Sequence, residues 1–190
     1  ITISVFNSAE GNDIEGRTIA EIAKQRKVDP FELMLNLIEK EGDGVKIISE
    51  TMKEENVAAF LKLPFAMVGS DSSFSQGSPH PRLYGTFPRV IRRFVREKKI
   101  LKLEEAILKM TGLPARRLKL KNSGLIKAGF QADAVLFDAS TISDIATYDD
   151  PCRFPSGITK VIVNGKIVIN NSVHTEVRAG KFDLLESMPD

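Results

Sequence analysis

Phe65-Ala66-Met67-Val68-Gly69-Ser70-Asp71, followed by His80-Pro81-Arg82-Leu83-Tyr84-Gly85-Thr86-Phe87-Pro88-Arg89-Val90, is the stretch on which the reading of this chain turns. Its first half is a short apolar run that delivers a carboxylate at its carboxyl end. A loop rich in Ser, Gly and Pro then returns a histidine, an arginine and a tyrosine within five residues of one another. An acid at the end of a strand, next to a loop that carries an anion clamp, is how an α/β scaffold builds a site, because functional groups collect at the carboxyl ends of parallel strands.

Upstream, Ile1-Thr2-Ile3-Ser4-Val5-Phe6 alternates in the manner of a strand. The chain opens on Ile and enters that strand at once, so it is expected to be a piece of a longer protein. Asn7 to Gly16 reads as a polar loop and Thr18 to Lys24 as a short amphipathic helix. Asp29-Pro30 is a helix start, with Asp as cap and Pro at the first helical position. Phe31, Met34, Leu35 and Ile38 follow at the spacing of a core-facing stripe. Gly42 and Gly44 end that helix, and Val45 to Ile48 is a strand. Thr51 and Glu54 offer a capping box to a helix whose apolar face is Val57, Phe60 and Leu61. Pro64 stops it before the strand that leads to Asp71. This alternation of strand and helix predicts an α/β fold with a parallel sheet or barrel.

Downstream, residues 86 to 120 read as helical, with Val90, Ile91, Phe94 and Val95 on one stripe and Leu103, Ala106, Ile107 and Met110 on the next. Gly112-Leu113-Pro114 breaks the second helix, and a short third one runs from Ala115 to Leu118. After Lys121 the composition turns to strands. Ala132 to Asp138 reads as a buried strand, and Val161-Ile162-Val163 and Lys166-Ile167-Val168-Ile169, joined by Asn164-Gly165, form a hairpin. Three strands do not close a core alone, so this tail is expected to pack with strands supplied from elsewhere.

Composition sets the outer bounds. The 190 residues carry a formal net charge of +2 with 42% hydrophobic and 27% charged residues, as an ordinary globular chain does. The basic run Arg92-Arg93, Arg96, Lys98-Lys99 reads as a solvated helix face. It is not interleaved with aromatics, so nucleic acid is not an expected partner. The apolar runs are far too short to span a membrane. A single cysteine, Cys152, excludes an internal disulfide framework and fits a reducing, cytoplasmic compartment. It has neither a Cys partner nor a neighbouring His. Glycine-rich phosphate loops are absent.

Two histidines, His80 and His174, and no His-x-His pair mean that a histidine-based metal centre cannot be assembled from this chain alone. The residues around the opening stretch each admit two readings. Asp71 is either a general base or a turn residue of the Ser-Asp-Ser-Ser segment. Arg82 either clamps a substrate carboxylate through its fork or pairs with a local acid. Tyr84 either donates to the same anion or covers the loop, and His80 either transfers protons or orients its neighbours. His174 reads as a surface residue near a turn.

Several separated motifs in one order resemble the C-terminal signature of the D-aminoacylases, the N-acyl-D-amino-acid deacylases of the amidohydrolase superfamily. They are Gly69-Ser70-Asp71, the run from His80 to Val90, Leu103-Glu104-Glu105-Ala106-Ile107 with Lys109 to Ala115, Gly129 with Ala132-Asp133, Asp150-Pro151 with Pro155-Ser156-Gly157-Ile158, and Val161-Ile162-Val163-Asn164-Gly165. The likeness covers roughly residues 66 to 180 and is less distinctive before them. Ser72 departs from it, since a glycine often follows the aspartate.

The resemblance implies the C-terminal part of a (β/α)8 TIM barrel of amidohydrolase type over residues 1–121. It also implies a β-rich segment and tail belonging to a small β-sandwich over residues 122–190. The activity it implies is zinc-dependent hydrolysis of the amide bond of an N-acyl-D-amino acid to a D-amino acid and a carboxylate. By the same likeness Asp71 moves the proton and contributes to the metal site, Arg82 holds the substrate carboxylate, and His80 and Tyr84 stand near the same anion. The family's main zinc ligands lie upstream of the matching region, so the chain by itself is expected to be inactive and to act with an N-terminal part of the same protein. Two other readings compete: a cyclic-amide hydrolase of the hydantoinase or dihydroorotase kind, and a non-catalytic module that pairs with a separately made N-terminal half.

Overall fold

The computed structural model describes residues 1–5, 13–49, 51–73 and 78–181. Most of the expected Asn7–Gly16 loop and the middle of the Ser/Gly/Pro loop lie outside the described residues. The chain folds as two compact units, one of Ile1–Lys53, Ser70–Gly85 and Ile145–Phe154, the other of Glu54–Gly69, Thr86–Asp144 and Pro155–Asp190.

In the first unit, β1 (Thr2–Val5) and β2 (Lys46–Ile48) pair through Thr2↔Ile48, Ile3↔Ile47 and Val5↔Lys46. Between them lie α1 (Ile19–Arg26) and α2 (Pro30–Glu41). The pairing is antiparallel, which corrects the expected parallel arrangement for these two strands. Two helices, not the single crossover helix of a parallel βαβ unit, lie between the two strands. Local chemistry starts both helices. Thr18 Oγ1 accepts the Glu21 amide while Glu21 accepts the Thr18 amide, and Asp29 Oδ1 accepts the amides of Phe31 at 2.8 Å and Glu32 at 3.1 Å. Gly42, at a φ of 51° that β-carbon-bearing residues rarely adopt, ends α2.

The core of this unit is Ile3, Ile14, Ile19, Ile22, Ala23, Leu33 and Leu37. The expected α2 stripe is therefore rotated: Phe31, Leu35 and Ile38 are exposed and Leu33 and Leu37 are buried. Helical periodicity offers either pair of ridges, and packing on α1 selects the narrower i, i+4 one.

In the second unit, α3 (Glu54–Leu61) is followed by an irregular segment. The helix α4 (Arg82–Arg89) continues as a π-helix over Val90–Glu97; α5 (Leu103–Met110) and α6 (Gly112–Arg117) follow. Leu61, Val90, Phe94, Leu101 and Ala106 form the core here, with Val57, Val68, Val95 and Met110 packed against it. Three expectations are corrected. Glu54 is the first residue of α3 instead of the third turn position of a box begun by Thr51. Phe60 is exposed. Gly112 opens α6 where a break was expected. The approach to Asp71 is not a strand either; the Val68 amide bonds to the Lys109 carbonyl at 3.1 Å, and no neighbouring strand offers it a ladder among the described residues.

The basic run on the π-helix is anchored by specific partners, which corrects the solvated-face reading. Arg93 forks onto Glu54 at 2.7 and 2.8 Å, Arg92 onto Asp144 at 2.6 and 3.2 Å, and Arg96 donates to the carbonyls of Ala139 and Ile142. Lys109, only 6% exposed, donates to the carbonyls of Leu63 and Ala66 and so ties α5 to the end of α3.

The same unit holds a four-stranded antiparallel sheet of β3 (Ala134–Phe137), β4 (Ile158–Val163), β5 (Lys166–Asn170) and β6 (Val173–His174), in that order. Asn164 and Gly165, at φ of 49° and 75°, close the expected β4–β5 hairpin with Val163 opposite Lys166. Val135 and Leu136 are about half exposed, so β3 is not the buried strand its composition predicts.

Candidate functional site

Ser4 fixes one wall of the site. Its hydroxyl donates to the Ser78 carbonyl at 2.8 Å and its own carbonyl accepts the Ser78 amide at 3.0 Å, which pins the segment before His80 to β1. His80 follows at once, and its Nδ1 accepts the Arg82 amide at 3.0 Å. In the neutral ring the proton then sits on Nε2, which faces the Tyr148 hydroxyl at 3.3 Å; the two rings meet edge to face at 5.2 Å. This arrangement uses both ring nitrogens of His80 to orient its neighbours.

Arg82 opens α4, and its Nη2 lies 3.0 Å from Asp71 Oδ2. The Asp71 side chain is 88% exposed and that of Arg82 40%. Asp71 itself sits at a φ of 49°, a left-handed conformation that Asp tolerates better than most residues and that turns its carboxylate back toward the arginine. Both readings of Arg82 thus meet at one point: the local acid it pairs with is the candidate base. Tyr84 is placed differently. Its ring packs edge to face on Phe154 at 5.3 Å, and it does not line the cleft described next. Burial and the neighbouring Cys152 push its phenol above the usual tyrosine range.

His80 and Arg82 line a cleft of about 510 Å³. β2 contributes Lys46 and Ile48, and Ser72, Ser73 and Tyr148 are among the other polar residues of the lining. Lys46 Nζ donates to Ser73 Oγ at 3.4 Å. The lining holds no Asp or Glu among the described residues. The cleft can therefore take a small anion: it offers a guanidinium fork, an ammonium, an imidazole and several hydroxyls, with apolar contacts from Ile48, Met52 and Leu83. Lys46 and Tyr148 carry no signal in the sequence, because a strand lysine and a tyrosine 66 residues beyond Arg82 meet only in the folded unit.

Zinc fits the described residues poorly. No group of three or more His, Cys, Asp or Glu side chains comes together among them, and the Asp71 carboxylate is engaged by Arg82. A zinc centre needs about three or four such ligands converging on one point.

Residues 5–169 match the model of the Amidohydrolase family, and the chain belongs to that family. It is 36% identical over 169 residues to a D-aminoacylase of Alcaligenes xylosoxydans xylosoxydans, a match that covers 89% of this chain and 34% of that protein. A crystal structure of D-aminoacylase, described as defining a novel subset of amidohydrolases, superposes with a TM-score of 0.85 at 34% identity, over 94% of this chain and 36% of the other. The N-acyl-D-glutamate deacylase of Bordetella bronchiseptica, complexed with zinc and a phosphonate mimic of the tetrahedral intermediate, superposes with a TM-score of 0.81 at 35% identity, over 88% of this chain and 34% of the other. The mixed α/β architecture is thus that of amidohydrolases of the D-aminoacylase kind, and the chain spans about a third of the length of these relatives.

Proposed function

We propose that this chain is the C-terminal part of a zinc-dependent N-acyl-D-amino-acid deacylase, which hydrolyses the amide to a D-amino acid and a carboxylate. The observation that carries the reading is the pairing of Asp71 with Arg82 beside a cleft that no acid lines among the described residues, in a chain whose relatives are D-aminoacylases and an N-acyl-D-glutamate deacylase. Residues 1–121 are assigned to the barrel and 122–190 to the β-sandwich segment. The concentration of helices α1–α6 in the first part and the antiparallel sheet β3–β6 in the second support that division. The zinc and its main ligands belong to the remainder of the protein. A cytoplasmic site of action is supported by the lone cysteine, and no helix among the described residues is long and apolar enough to cross a membrane.

In this reading Arg82 receives the substrate carboxylate through two parallel hydrogen bonds. Asp71 now occupies part of that fork, so the incoming carboxylate displaces it, and substrate binding frees the base. Asp71 then takes a proton from the attacking water and returns it to the leaving amine. His80 fixes the backbone at Arg82, and Tyr84 braces the first turn of α4 against Phe154. The fork favours a free carboxylate beside the scissile amide over a cyclic amide.

The test is D-amino-acid release from N-acetyl-D-amino acids by the full-length zinc-loaded protein, read with a D-amino-acid oxidase couple. Asp71→Asn is expected to abolish nearly all turnover with the circular dichroism spectrum unchanged. A full-length protein that releases no D-amino acid, or that opens only ring substrates, refutes the reading; an Asn variant with wild-type kcat refutes the role of Asp71.

A further inference from the structure

The cleft carries more positive charge than one carboxylate needs. Arg82 and Lys46 line it from different elements, one at the start of α4 and one on β2, and His80 lines it as well. Under the deacylase reading Arg82 serves the carboxylate next to the amide. Lys46 is then surplus. Among the described residues its polar contact is the neutral Ser73 hydroxyl at 3.4 Å, and the lining contains no carboxylate to offset its charge. An ammonium held in a small cleft that also carries a guanidinium attracts a second anion, and the interaction strengthens as the ligand excludes solvent.

We infer that Lys46 makes this cleft selective for N-acyl-D-amino acids whose side chain ends in a carboxylate, a selectivity that rests on the deacylase reading above. Two carboxylates separated by one or two methylenes match the chemistry of the lining. The cations take the charges, and Ile48, Met52 and Leu83 supply apolar contact for the methylenes. The Ser73 hydroxyl, which accepts from Lys46, keeps its own proton to donate to a carboxylate, a donor that an aliphatic side chain would leave unanswered. The likeness to an N-acyl-D-glutamate deacylase is consistent with such a ligand, whereas the likeness to D-aminoacylase alone would not require it.

The experiment compares N-acetyl-D-glutamate with N-acetyl-D-glutamine, which differ in charge but hardly in shape, on the full-length zinc-loaded enzyme. Wild type is expected to prefer the glutamate compound by about tenfold or more in kcat/KM, as charge-assisted hydrogen bonds to a fixed cation require. Lys46→Met is expected to bring that ratio to about one, and Lys46→Arg to restore most of it. A general loss of structure would lower both rates together and leave the ratio where it was, so the ratio separates recognition from folding. The inference is overturned if wild type does not prefer the acidic compound, or if Lys46→Met keeps the wild-type ratio. In either case release of D-amino acids from neutral substrates leaves the deacylase reading standing; absence of release from every N-acyl-D-amino acid removes both.

Discussion

Glu54→Gln is predicted to cost stability at neutral pH and nothing near pH 2. Glu54 begins α3 and accepts hydrogen bonds from Arg93 at 2.7 and 2.8 Å and from Lys98 at 2.7 Å, with its side chain 27% exposed. The Arg93 hydrogen bonds first, and the Lys98 one second, hold its carboxyl at about 2 where 4.5 is usual. Taken at face value that depression corresponds to about 3 kcal/mol. Solvent screening of a pair that is partly open to water reduces it to about 1–2 kcal/mol. The sign follows from linkage: a carboxyl whose pKa is lowered by folding contributes its stability above the unfolded value and loses it as pH falls through the folded one. The wild type should therefore be more stable than Glu54→Gln by about 1–2 kcal/mol at pH 7, with the gap closing between pH 4.5 and 2. Urea unfolding followed by circular dichroism measures it. Guanidinium is unsuitable, because as a salt it screens the pairs under test. A gap of the same size at pH 7 and pH 2.5, or none at pH 7, would show that Glu54 acts through something other than its charge.

Two further substitutions test the packing of the second unit. Gly157→Ala should destabilise by about 2–4 kcal/mol in the same urea assay, because Gly157 sits at a φ of 81° and a β-carbon there would lie 2.5 Å from Ile142 Cα and 2.6 Å from its nitrogen; a neutral effect would mean the backbone at Ile142 is free to shift. Lys109→Met should cost about 1–3 kcal/mol, since it removes the ammonium from the Ala66 carbonyl and from the Leu63 carbonyl, which keeps only the Ala66 amide, while preserving side-chain length. Hydrogen exchange at the end of α3 should rise with it, and unchanged protection there would contradict the anchoring role.

The features legible in the sequence are those whose physics is local. Asp29-Pro30 starts α2 because the cap and the proline act within three residues, and Asn164-Gly165 closes a hairpin because both positions tolerate positive φ. Asp71 and Arg82, eleven residues apart around one loop, meet at 3.0 Å. What the sequence could not reveal is decided by partners far along the chain. Packing on α1, absent from any periodicity count, chose Leu33 and Leu37 over Phe31 and Ile38. The arginines of the π-helix are tied down by Glu54 and by Asp144, 39 and 52 residues away from them. The segment before Asp71 has the composition of a strand but no neighbouring strand among the described residues to pair with. Lys46 and Tyr148 reach the cleft from either side of His80, so that no spacing rule connects them.

The central claim, that Arg82 receives the carboxylate of an N-acyl-D-amino acid, is tested most directly by pairing each substrate with its primary carboxamide. N-acetyl-D-methionine and N-acetyl-D-methioninamide should differ by about a hundredfold in kcat/KM with the full-length wild-type enzyme, as loss of a bidentate charged contact requires. With Arg82→Met the two should be hydrolysed at similar, low rates. A wild-type enzyme that accepts the carboxamide as readily as the acid, or an Arg82→Met variant that still prefers the acid by the wild-type factor, would contradict it.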